Sequence, residues 1–249
     1  MRRGWPDAFS RHSIAPGGRR GRLPLLSMAL LAATAAAIAF PSPIRAAPRQ
    51  LVICADPNNL PFSNRDKQGF ENRIIALVAR DLDARLSYVW WAQRRGYVRS
   101  TLNESRCDIW PGVATGTDHV ASTHPYYRST YVFVTRAAAP LGGLSLDDPR
   151  LRSSIVGVQM IGNDSMNSPP AHAVASRGIT DNVRGFMIYG DYSRPNPPAA
   201  IVEAVARKQI DVALVWGPLA GYFAHRSPVP LRIEPVTPAN DPPWQMTFD

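Results

Sequence analysis

A chain of 249 residues, 45% apolar and with 24 prolines, excludes a coiled coil, a long helical array and wholesale disorder. Its two cysteines cannot build a disulfide-stapled miniprotein or a four-ligand zinc site. The formal charge of +9 would suit a nucleic-acid binder, but residues 1–46 hold seven Arg and one Asp, and the remaining 203 residues carry only +3.

Residues 1–22 contain six Arg against Asp7, and residues 23–44 are uncharged and rich in Leu and Ala. Pro41 and Pro43 close that run and Ala46 offers a small residue at the exit. This is the pattern of a secretory signal peptide over residues 1–46. The run is also long enough to span a bilayer, so a membrane anchor is the alternative. The Ala-rich run and its closing prolines favour cleavage, with no stable membrane insertion afterwards. Export to an oxidising space would make a Cys54–Cys107 disulfide chemically possible.

After the leader, residues 51–55 (LVICA) read as a buried strand ended by the turn formers of 56–59. Residues 71–82 predict an amphipathic helix with Ile74, Leu77, Val78 and Leu82 on one face. A strand over 86–91, a short helix over 95–104 and a third strand over 108–114 complete an α/β unit with parallel pairing. Residues 126–136 alternate and predict a long strand; residues 140–152 form a polar connection. A second unit follows: strand 154–159, a helix over 164–176 interrupted at Pro169 and Pro170, strand 183–189, helix 199–208, strand 210–216, helix 217–225 and strand 231–236. Two α/β lobes imply a cleft between them, with ligands beyond the C-terminal strand ends. The expected division is a signal peptide at 1–46, lobe 1 at 47–136 with 237–249 as the start of a return segment, and lobe 2 at 137–236.

The bridge between Cys54 and Cys107 stays open at this level. In neighbouring parallel strands the offset would be ~10 Å, against a limit of ~7 Å between Cα atoms. Catalytic patterns are sparse. His119, His124, His172 and His225 lack the spacing of a helical metal pair, and there is no nucleophile elbow, phosphate loop or haem-attachment motif. No catalytic residue, metal site or cofactor is expected, and the chain reads as a non-enzyme.

The segment CADPNNLPFS at 54–63, followed by GFEN at 69–72, resembles the opening of the periplasmic solute-binding proteins of ABC transporters. WWAQRR at 90–95, PYYRSTYVF at 125–133 and IDVALVWGPLAGY at 210–222 narrow the resemblance. Together they look like the solute-binding-like accessory proteins of methanol oxidation, the MxaJ/XoxJ type. The similarity covers roughly residues 50–248 and implies an α/β, periplasmic-binding-protein-like fold and a periplasmic location. It also implies a role beside a PQQ-dependent methanol dehydrogenase, whether a calcium or a lanthanide enzyme, in binding it, aiding its maturation or helping electron delivery to its c-type cytochrome. The rival reading is a transporter receptor for a small polar or aromatic molecule. In this fold the chain normally returns to the first lobe and ends in a helix, so a stop at Asp249 reads as a C-terminus short by some tens of residues.

Amino-acid-binding relatives grip a ligand carboxylate with an Arg after the third strand, but residues 115–120 here read TGTDHV. They hold the amino group with an acid near a second-lobe strand end, but residues 215–218 read VWGP. Both ionic grips are missing, and each charge-assisted bond is worth ~1.5–3 kcal/mol. Asp164 fits an N-cap for the first helix of the second lobe. The expected cleft lining is Asp56, Asn58, Asn59, Phe62, Ser63, Trp91, Arg94, Arg95, Tyr126, Tyr127 and Trp216. That is an aromatic, amide-rich surface suited to a flat ligand or to a partner's side chain.

Overall fold

The computed structural model describes residues 49–94, 96–161, 167–188 and 192–249. The signal peptide expected over 1–46, the Asp164 cap and Arg95 lie outside the described residues.

Strand β1 (Arg49–Ala55) and strand β2 (Ala84–Trp90) pair in parallel, from Arg49↔Ala84 to Ala55↔Trp90. A parallel pair needs a crossover, and helix α1 (Phe70–Asp81) supplies it. At its start Gly69 runs so close to the preceding hairpin that a Cβ would lie 1.9 Å from the Phe62 carbonyl oxygen. Asn72 Oδ1 accepts from the Gly69 and Asn64 N–H groups, both at 3.2 Å. The buried face differs from the expected one. Glu71, Asn72, Ile75 and Ala79 point inward, whereas Leu77 and Leu82 are 51% and 42% exposed. Ile75 and Ala79 pack on Leu51, Ile53 and Ala55, so the small Ala79 and not a leucine meets the sheet.

Residues 108–114 do not form the expected third strand; Ile53 and Ile109 make an isolated bridge. Pro111 lacks an N–H and Gly112 has φ +73°, so pairing stops there. The segment is pinned instead by Asp108. Its N–H donates to the Val52 carbonyl and its Oδ2 accepts from the Val52 N–H, both at 2.8 Å. This entry brings the Cys107 Cα to 5.5 Å from that of Cys54, and the two are joined in a disulfide. The ~10 Å offset held only for a continued strand. The bridge packs with Tyr97 of the short helix α2 (Tyr97–Ser100).

The larger sheet has six strands: β3 (Ser129–Arg136), β4 (Val156–Met160), β5 (Val183–Met187), β6 (Val212–Trp216), β7 (Leu231–Pro235) and β8 (Thr247–Phe248). Their order is β8-β3-β6-β4-β5, with β7 also on β3. β4 is parallel to β5 and β6, while β3 is antiparallel to β6, β7 and β8. β3 starts at Ser129 rather than at 126, and both it and the 247–248 pair hydrogen-bond in this sheet. Helices α3 (Pro169–Ser176), α4 (Ala200–Ala206) and α5 (Gly217–His225) pack on it. Pro169 and Pro170 open α3 instead of interrupting it, because a first turn needs no intrahelical N–H. Successive residues face opposite sides: Val134 and Val215 join Ile201 and Val205 in one core, Phe133 and Leu214 join Leu146 and Val174 in the other. The central strands β3, β4 and β6 are therefore buried on both faces, which explains their apolar runs.

Candidate functional site

A cleft of about 950 Å³ opens where the strands end. One wall carries Asp56 after β1, Gln93 after β2, and Glu71, Ile74 and Val78 of α1. The other carries Gln159, Ile188 and Trp216 at the ends of β4, β5 and β6. Residues 108–115 and 119–127 border it between the two. This is the position in which parallel α/β sheets bind ligands.

Of the residues expected in the lining, Asp56, Asn59, Phe62, Tyr126, Tyr127 and Trp216 come together there. Asn58, Ser63, Trp91 and Arg94 do not line it. Asn58 is spent on the chain: its Nδ2 donates to the Arg194 carbonyl at 2.8 Å and its Oδ1 accepts from the Asn196 N–H at 3.1 Å. Ser63 Oγ donates to the Asp56 carbonyl at 2.8 Å. Trp91 packs beside the disulfide, with the Arg106 guanidinium 4.9 Å from its ring centroid. Arg94 is exposed.

Asp56 is a tie rather than an open grip. Its Oδ1 accepts from the Asn58 N–H at 2.8 Å, and its Oδ2 from the Gln93 N–H at 2.7 Å and from the Tyr192 hydroxyl. Burial pushes its pKa up, and these three bonds oppose the rise. Segment 192–196 is thus fastened to the end of β1 through Asp56 and Asn58.

Glu71 was not legible as a site residue. It is 2% exposed, yet its carboxyl borders the cleft. Among the described residues no donor bonds it. Burial first, and the Asp56 charge second, push its pKa up to about 8. Gly112 leaves room for it: a Cβ there would fall 2.0 Å from Glu71 Oε1. The Gly112 N–H donates to Tyr126 Oη at 3.1 Å. Burial, then the Glu71 charge, raise the pKa of Tyr126 and Tyr127. The available signal was helical spacing, since Glu71, Ile75 and Ala79 recur every four residues and a charge on that stripe is conspicuous. Tyr97 Oη and Trp110 Nε1 are buried without hydrogen-bond partners among the described residues, their rings 4.8 Å apart. Gln159 was also missed. It is buried, and its Oε1 accepts from the Trp216 N–H at 2.8 Å, which fixes the tryptophan where α5 begins.

Among the described residues the charged side chains of the lining are Asp56, Glu71, Asp108 and Asp249, with no Lys or Arg. Thr115, His119 and Val120 of the TGTDHV segment border the cleft without supplying a cation clamp for a carboxylate. Among the described residues no group of three His, Cys, Asp or Glu side chains is placed to hold a metal ion. None of the described helices is long and apolar enough to cross a membrane.

No family model matches the chain. Among curated proteins, Protein MoxJ of Paracoccus denitrificans is 30% identical over 220 residues, which are 82% of this chain and 75% of that protein. The chain belongs to the MoxJ family. A solved structure of the periplasmic binding protein XoxJ from Methylobacterium extorquens AM1 is 36% identical, with a TM-score of 0.62 over 80% of this chain and 81% of that one. MxaJ from Methlophaga aminisulfidivorans MPT, 24% identical with a TM-score of 0.67 over 80% and 84%, shares the fold. The MoxJ-family chain therefore has a periplasmic-binding-protein fold of the MxaJ/XoxJ type. Its cleft can stack flat or aromatic groups on Tyr126, Tyr127 and Trp216, and its field is acidic.

Proposed function

We propose that this MoxJ-family chain is a non-enzymatic periplasmic accessory protein of PQQ-dependent methanol oxidation, and that its cleft binds the dehydrogenase. Two lobes, one on the β1–β2 pair and one on the six-stranded sheet, form the cleft walls. The observation that carries this reading is the lining itself. It offers Phe62, Trp110, Tyr126, Tyr127 and Trp216 with no arginine or lysine beside them among the described residues. Aromatic side chains of this kind anchor protein interfaces. A receptor for free amino acids needs a cation for the ligand carboxylate, and an unmatched carboxylate forfeits a charge-assisted bond. Membership of the MoxJ family supports the methanol-oxidation context. No cofactor enters this reading.

The test is binding of the secreted chain to the PQQ-dependent methanol dehydrogenase of its own periplasm, by co-purification and then by titration. Binding weakened at least about tenfold by paired Tyr127→Ala and Trp216→Ala changes is expected. Absence of binding, or binding indifferent to both changes, overturns the reading. The cleft volume favours one further reading. About 950 Å³ lies within the range of small-molecule sites, as an ABC-transporter receptor for a small polar or aromatic molecule would require. A permease and ATPase encoded beside the chain support the receptor; a quinoprotein dehydrogenase and a cytochrome c there support the accessory role.

A further inference from the structure

We infer that the α1 wall of the cleft holds a site for an organic cation, an ammonium or guanidinium head on an apolar stem, with Glu71 as its counter-ion. This rests on the reading that the cleft is the recognition surface, and not on which protein occupies it.

Among the described residues four side-chain carboxyl groups line the cleft, and three are already engaged. Asp56 accepts from two backbone N–H groups and the Tyr192 hydroxyl. Asp108 Oδ2 accepts from the Val52 N–H. Asp249 pairs with Arg128, whose Nη2 donates to its Oδ2 at 2.8 Å. Glu71 alone has no donor among the described residues, although only 2% of it is exposed. A carboxyl held in an apolar wall without a hydrogen bond is costly. The fold nevertheless shapes itself around this one, with Gly112 leaving the space its oxygen fills.

The surroundings suit a cation with an apolar stem. Ile74 and Val78 continue the α1 wall beside Glu71, and Tyr126 and Tyr127 line the same cleft within electrostatic reach of it. Ring faces attract ammonium and guanidinium groups. The titratable groups that face Glu71 are Asp56 after β1, Tyr97 of α2, and Tyr126 and Tyr127 before β3. None is a cation. His119 and His124 border the same cleft from the 119–127 segment.

The proton balance follows. With burial and Asp56 holding its pKa up to about 8, Glu71 is mostly the neutral acid at neutral pH. An arriving ammonium replaces that proton as the partner of the carboxylate, and the proton leaves to solvent. Binding therefore releases about one proton, strengthens about tenfold per pH unit up to about pH 8, and levels off above it. A zwitterionic amino acid gains less, because its own carboxylate enters an acidic cleft.

The probe is phenethylammonium, with 3-phenylpropionate as the anion on a comparable stem, titrated calorimetrically into the secreted chain. Buffers of different ionisation heat count the protons. Saturable binding of the ammonium, release of about one proton near neutral pH, and no binding of the anion are expected. Glu71→Gln keeps the shape and should weaken the ammonium at least about tenfold, with its thermal melt confirming that it folds. Equal binding by Glu71→Gln, equal binding of the anion, no proton release, or no ammonium binding at about pH 9, where Glu71 is ionised, overturns the inference. A competition arm separates the two readings. Ammonium binding without dehydrogenase binding defeats the proposed function alone, whereas dehydrogenase binding without ammonium binding defeats this inference alone.

Discussion

Replacing Glu71 by glutamine should change how stability depends on pH. In the unfolded chain the carboxyl has its ordinary pKa of 4.5; in the folded chain burial and the Asp56 charge push it up to about 8. A raised acid is bound more tightly by its proton in the native state. Its contribution is therefore intact below 4.5 and is lost as pH rises toward 8, since the unfolded chain releases the proton first. The interval of about 3.5 units corresponds to a loss on the order of 5 kcal/mol by pH 8, and of about 3 kcal/mol at pH 7. Glutamine carries no proton to lose, so the variant keeps that stability. For a folded region of this size, ~3 kcal/mol moves a melting temperature by roughly 6–12 °C. Thermal melts of both proteins from about pH 4 to about pH 8.5 read the effect directly. The curves should nearly meet at the acid end and diverge steadily upward in pH, with Glu71→Gln the more stable. Asp56 is raised as well, but it is present in both proteins and drops out of the difference to first order. Curves that stay parallel, or a variant less stable at neutral pH, would refute the reasoning.

Breaking the Cys54–Cys107 bridge, which spans 53 residues, should cost about 4 kcal/mol by loop entropy, seen as a lower melting temperature of the Cys54→Ser/Cys107→Ser protein or of the reduced chain; denatured, unreduced protein should show no free thiol. Tyr192→Phe removes the hydroxyl that donates to buried Asp56 and should cost about 1.5–3 kcal/mol in a denaturant melt, with proteolysis near 192–196 increased; an unchanged melt argues against the tie. Arg177 donates to Asp241 in two bonds at 2.7 and 2.9 Å, both side chains 18% exposed, and to Asp147, 71% exposed. Asp241→Ala should therefore cost about 1.5–3 kcal/mol and Asp147→Ala below about 1 kcal/mol; a reversed order in urea melts would count against the burial argument.

Much of the local structure was legible in the chain. Residues 217–225 read as a helix and fold as one with the same bounds, because a proline in the first turn and an unbroken apolar run favour it. The stretch 126–136 reads as a strand, and residues 129–136 form one; the two cores on its faces come from the fold. Of the six expected lining residues that meet in the cleft, Asp56, Asn59, Phe62 and Trp216 follow or end a strand, and such an end is visible as a change from apolar to turn-forming residues; Tyr126 and Tyr127 precede β3. The misreadings have physical causes. Asn58 and Ser63 are polar loop residues by composition, but whether such a side chain serves a ligand or the backbone depends on which N–H or carbonyl lies opposite. Apolar spacing places the buried stripe of α1 at Ile74, Leu77, Val78 and Leu82, whereas the fold buries Ala79 because a small residue lets the helix sit close to β1.

Taken alone, the sequence determined the α/β alternation, the family resemblance and the absence of an arginine in the TGTDHV segment, since each is a property of neighbouring residues or of a short spacing. Only tertiary structure decided that Cys107 reaches Cys54, that Asp56 is occupied by Gln93 and Tyr192, and that Glu71 stands buried and unpaired at the cleft wall. Those facts join residues 15 to 136 positions apart in the chain. Burial and donor partners come from the packing of distant segments, and the charge state of a carboxyl follows from both.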